Sequence, residues 1–147
     1  MRSNGVRDGD ARIDYSILSD EALVISGQAP CWKCGTGMEV ICIYCQSGLV
    51  NGEPLLNFSV SNVTAVDEAL RMQLARWPGF HLARRGPGAG SLYLNHCPAC
   101  GISQDDFFLH CRPEGLFFRF DDSSSARFAV TALAGLVRLS GDEGFEP

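Results

Sequence analysis

The sequence predicts an α+β fold: a small, mainly antiparallel sheet with one principal helix. Three observations carry that reading. Short runs rich in β-branched and aromatic residues recur between turn signals, as in "MEVICIYC" and "LLNFSV". Apolar residues take helical spacing over one main stretch, residues 65–77. With 46% hydrophobic and 20% charged residues, a chain of 147 residues can bury a substantial core, and its length suits one domain.

The elements follow in chain order. Residues 1–12 are rich in Gly, Asp and Arg and are expected to be a flexible segment ahead of a single domain over 13–147. "DYSILSDEALVIS" (14–26) mixes apolar and acidic residues and suits a strand or a short helix. "GQAP" turns the chain into a first cysteine pair. "MEVICIYC" (38–45) reads as a strand whose near-continuous apolar run expects cover on both faces. Asn51-Gly52 is a strong hairpin signal, which makes 38–60 a β-hairpin.

Asn62 or Thr64 is the expected cap of the helix over 65–77. Val66, Leu70, Leu74 and Trp77 would line its apolar face, and Pro78-Gly79 would stop it. Residues 84–91 form a Gly/Pro loop leading to a short strand, "LYLNHC". "QDDFFLHC" suits a short helix or strand, "LFFRF" a strand, and "ARFAVTALAGLVRLSG" leans to strand. Phe107, Phe108, Phe117, Phe118 and Phe120, with Trp32 and Trp77, are expected in the core.

Charge narrows the function. A net charge of −5, with Arg76, Arg84 and Arg85 as the main basic cluster, makes nucleic acid an unlikely partner and suits a basic protein partner. No apolar run reaches the ~18–20 residues of a membrane-spanning helix. No secretory leader is visible, so a cytoplasmic location and reduced thiols are expected. Seven cysteines, an odd number, then favour metal over disulfides.

"CWKCG" (31–35) and "CPACG" (97–101) share a Cys-x-x-Cys-Gly unit. Two residues between cysteines let a tight turn aim both sulfurs at one ion, and the following glycine permits a left-handed backbone. Cys31, Cys34, Cys97 and Cys100 are therefore the expected ligands of a structural Zn2+, in a zinc-ribbon-like pair of knuckles. Gly35, Gly101 and His96 are the expected outer partners, close enough to hydrogen-bond near the thiolates. A rival tetrad takes Cys42 and Cys45 with Cys31 and Cys34. Three residues apart in a strand, that pair would face opposite ways, which suits small buried hydrophobes better. An iron–sulfur cluster and a thioredoxin-like dithiol at 97–100 stay open, but the usual spacings and a following helix are missing.

The histidines, His81, His96 and His110, are few and scattered. His110 with Cys111 or Asp106 is a conceivable catalytic pair, yet sequence neighbours rarely face each other. Asp105 and Asp106 suit a helix cap or a solvated turn.

The order "CWKCG … YLNHCPACG … DDFFLHCRPEGLFF" resembles a group of short bacterial proteins. Their pattern runs Cys-Trp/Tyr-x-Cys, then aromatic-x-Asn-x-Cys-x-x-Cys-Gly, then Gly-Asp-x-Phe-Leu-His and a Pro-Gly/Phe-Phe tail. The matching residues are Cys31, Trp32, Cys34, Tyr93, Asn95, Cys97, Cys100, Gly101, Asp106, Phe108, Leu109, His110, Pro113 and Phe117. The match spans about residues 30–120; the chain departs from it at Asp105, in place of glycine, and adds Cys42 and Cys45. The resemblance implies the four-cysteine ligand set and no reaction. The expectation is a non-catalytic zinc-binding protein that engages another protein, with an immunity or antitoxin type as one version. The alternatives are a redox or zinc sensor, or an enzyme using His110 and Asp106.

Overall fold

The computed structural model describes residues 14–84, 90–104, 106 and 128–143. The elements expected over 107–127, with Phe107, Phe108, His110, Cys111, Phe117, Phe118 and Phe120, lie outside the described residues, as do Asp105 and residues 1–12.

Strands dominate. Residues 14–26 are extended and not helical: β1 (Ile17–Ser19) and β2 (Ala22–Pro30) are separated by a bend at Asp20-Glu21. β3 (Gly37–Val50) and β4 (Glu53–Val66) form the expected hairpin and extend it. Asn51 and Gly52 both take positive φ, 51° and 85°, as a two-residue turn with the twist of the flanking strands requires. The rest of the order is α1 (Glu68–Leu74), β5 (Phe80–Arg84), β6 (Ser91–His96), β7 (Ser103–Gln104), β8 (Ala129–Ala132) and β9 (Val137–Glu143). "LYLNHC" and the stretch after Arg127 are thus strands, as expected, and Phe80–Arg84 is a strand that the pattern did not announce.

The helix is shorter than 65–77. Its cap is Asp67, whose carboxylate accepts from the Leu70 amide at 2.9 Å; Asn62 and Thr64 lie within β4. Strand pairing wins up to residue 66, where Ala65 and Val66 pair with Ser140 and Leu139 of β9. Leu70 and Leu74, four apart, are buried on one face. Val66 and Trp77, also assigned to that face, pack on the same core from outside the helix.

All described strand pairings are antiparallel and join nine strands in the order β5-β6-β4-β9-β1-β3-β2-β8, with β7 on β6. The sheet is larger than the small one expected. It also closes on itself, because β3 pairs with β4 as well as β1. Closure is tight: a Cβ at Gly48 would lie 2.7 Å from the Leu18 carbonyl oxygen. β3 has both faces covered. Ile41, Ile43 and Cys45 enter the larger core with Ile17, Val24, Val63, Leu70 and Leu139. Met38, Val40 and Cys42 point the other way, into a smaller cluster with Ile25, Cys31 and Cys97. That second cluster seats the thiols.

Candidate metal centre

Both Cys-x-x-Cys-Gly units are hairpin turns. Pro30 pairs with Gly37 at the mouth of the first, and His96 with Ser103 at the mouth of the second. Their backbones repeat bond for bond. Cys31 N–H donates to Thr36 O at 2.9 Å and Gly35 N–H to Cys31 O at 2.9 Å. Cys97 N–H donates to Ile102 O at 2.9 Å and Gly101 N–H to Cys97 O at 2.8 Å. Gly35 and Gly101 take φ of 79° and 80°, a conformation L side chains resist. These amides thus bind carbonyl oxygens, while the Lys33 and Ala99 amides each lie 3.4 Å from the sulfur of the first cysteine of their knuckle.

The two turns bring four sulfurs together. Those of Cys31, Cys34, Cys97 and Cys100 all lie within 4.8 Å of one another, a group that can hold a metal ion. Cys31 to Cys100 and Cys34 to Cys97 are each 3.7 Å, far beyond a disulfide bond of ~2.05 Å. Cys31 and Cys97 are buried, whereas Cys34 and Cys100 are exposed. Cys42 and Cys45 stand outside this group on opposite faces of β3, so the rival tetrad does not form. Chain leaving Cys100 enters the short strand β7 and no helix starts there, which removes the support a redox dithiol at 97–100 would need.

Electrostatics suits a cation. Burial pushes the Cys31 thiol up, but the amides of Cys34 and Lys33, the Gln104 carboxamide and Cys100 outweigh it and hold it at about 6. The Thr36 hydroxyl, 3.2 Å from the sulfur, and the Thr36 amide draw Cys34 down. The Ile102 amide draws Cys100 down too, yet burial and the neighbouring sulfurs push it up to about 11. The sulfurs of Cys31, Cys34 and Cys100 thus influence one another's ionisation. A dication held by such thiols would favour their ionised form. By contrast, burial drives the Cys45 thiol up to about 11, and burial with the charges of Asp106 and Cys45 drives Cys42 higher still. Those two are neutral core thiols.

Two buried carboxamides reach from the second hairpin to the first. Asn95 Oδ1 accepts from Ile41 N–H at 2.8 Å, and its Nδ2 donates to Ile41 O at 3.0 Å. Gln104 Nε2 lies 3.5 Å from Cys31 Sγ, and its Oε1 accepts from Trp32 N–H at 3.4 Å. Gln104 had no motif to announce it. Trp32, expected in the core, is 61% exposed with its indole N–H donating to Ser103 O.

His96 turns away from this network. Its ring stacks on His81, centroids 3.7 Å apart, and its Nδ1 faces Gly79 O at 3.2 Å. Asp106 is buried and accepts from Asn62 N–H at 2.8 Å, a structural contact and not a solvated turn. A cleft of about 490 Å³ lies beside the second knuckle, lined in part by Trp77, Phe80, His81, His96 and Pro98. No helix among the described residues is long and apolar enough to cross a membrane. Comparison with protein-family models, curated proteins and solved structures finds no significant match to this chain.

Proposed function

We propose that this is a non-catalytic zinc-binding protein in which Cys31, Cys34, Cys97 and Cys100 hold one structural Zn2+. One observation carries the reading. A tetrahedron of sulfurs at ~2.3 Å from zinc has edges of ~3.8 Å, and the two short sulfur–sulfur distances are 3.7 Å. Iron–sulfur cubes bind each thiolate to a different iron, which asks for wider spacing than these sulfurs have. Four thiolates fill the coordination sphere, so no position is left for water or substrate. The paired Cys-x-x-Cys-Gly turns support a zinc-ribbon-like reading, and the resemblance in "CWKCG … NHCPACG" implies the same ligands.

The role that follows is binding another protein. The exposed Trp32 crowns the first knuckle, and the net charge of −5 favours a basic partner in a reducing compartment. A second reading, a redox sensor, is favoured by the exposure of Cys34 and Cys100, which an oxidant can reach while zinc is bound. Native mass spectrometry tests the first claim: one zinc per chain is expected, and metal-free protein under gentle conditions would refute it. Titration with peroxide separates the two roles, since a structural site keeps its zinc at doses that empty a sensor.

A further inference from the structure

The two hairpins differ in the residue pair that stands just outside each knuckle. Just outside the first knuckle, Ala29 and Met38 are cross-strand partners. Just outside the second, the equivalent partners are Asn95 and Gln104. Both carboxamides are almost fully buried, at 2% and 4% exposure. Burying two amides costs free energy that an apolar pair would not, unless each finds its partners. Apart from the Ile102 carbonyl, 3.3 Å from Gln104 Nε2, the partners lie on the first hairpin. Asn95 takes both backbone groups of Ile41, as a neighbouring strand would, and Gln104 takes Trp32 N–H and the Cys31 sulfur.

We propose that Asn95 and Gln104 are positioning residues of the metal centre, docking the second knuckle onto the first so that four sulfurs converge before any ion binds. The proposal rests on the metal-binding reading and adds that the site is preassembled. Asn95 sets the depth of one hairpin against the other, because its carboxamide admits only one alignment with Ile41. Gln104 fixes the rotamer of Cys31 by donating to its sulfur. Neither residue is among the four candidate ligands.

A half-buried control with the same two-bond geometry exists elsewhere in the fold. Gln73 grips the backbone of Ala134 in the same two-bond way, accepting from its N–H at 2.7 Å and donating to its O at 3.1 Å. The experiment uses the full chain, with Zn2+ affinity measured by competition against a chromophoric chelator and Co2+ absorption as the geometric readout. Circular dichroism confirms that each metal-free variant is folded. Asn95→Ala and Gln104→Leu should each weaken Zn2+ binding by roughly 10–100-fold, as loss of an outer-shell partner does. Both should also shift the Co2+ bands, and Gln73→Ala should do neither. Should Asn95→Ala not fold, Gln104→Leu and Gln104→Glu carry the test. Equal weakening in the Gln73→Ala control would mean general destabilisation and overturn the proposal. So would unchanged affinity and spectra in both site variants of a protein that binds metal. A wild-type chain that takes up neither Zn2+ nor Co2+ would instead overturn the metal-binding reading itself.

Discussion

Cys-x-x-Cys occurs three times here: at 31–34 and 97–100 on hairpin turns, and at 42–45 inside β3. On the turns, the chain reverses within the motif and both sulfurs face one point. In the strand, the side chains alternate, so Cys42 and Cys45 enter separate clusters on opposite faces. The spacing is identical and the chemistry is not. What makes a ligand pair is the turn, and the residue that secures the turn is the glycine at φ near 80°.

The largest expected effect breaks that contrast at the thiols. Cys31→Ser and Cys97→Ser should each abolish the tetrathiolate Co2+ spectrum and weaken Zn2+ binding by more than the roughly 10–100-fold of an outer-shell change. Cys42→Ala should leave both unchanged while lowering the unfolding midpoint through a small cavity.

The glycines come next. Gly35→Ala and Gly101→Ala each place a Cβ in the left-handed region, at a cost of about 1–2 kcal/mol. Open space surrounds both positions, so backbone strain alone sets the cost, and the two denaturation midpoints should fall by similar amounts.

Strand thiols and knuckle thiols also separate by pH. The folded Cys45 thiol is held at about 11 by burial, above its ordinary 9.0. Between those values the unfolded chain binds fewer protons than the folded one, so stability falls as pH rises. This contribution is complete below pH 9, then declines by at most about 1.4 kcal/mol per unit up to 11. Urea titrations at a series of pH values should show this alkaline loss diminished in Cys45→Val.

The smallest effect compares the knuckles with each other. Thr36 places a hydroxyl beside Cys34, and its counterpart in the second knuckle is Ile102, which has none. Thr36→Ile should therefore leave a functional site, with chelator competition showing a change below about tenfold, the value of ~1.4 kcal/mol.

How much of this was legible depended on range. Cys-x-x-Cys-Gly and Asn51-Gly52 are local signals whose geometry is set within a few residues, and both turns formed as read. The helical pattern outruns the helix because Val66 and Trp77 share its apolar face without sharing its backbone. Pairing of β4 with β9, more than seventy positions away, holds residues 65 and 66 extended, and no local pattern records it. Asp67, the cap, lies three residues past Thr64. Gln104 was invisible because a single glutamine in a short strand carries no motif. Sequence adjacency misleads for His96: its neighbour Cys97 joins the sulfur cluster, while its own ring stacks on His81.

Zinc-edge X-ray absorption on the purified full chain tests the central claim most directly. The account predicts a first shell of four sulfurs at ~2.3 Å, lost in Cys31→Ser. A shell containing nitrogen or oxygen, or protein that carries no zinc, would contradict it.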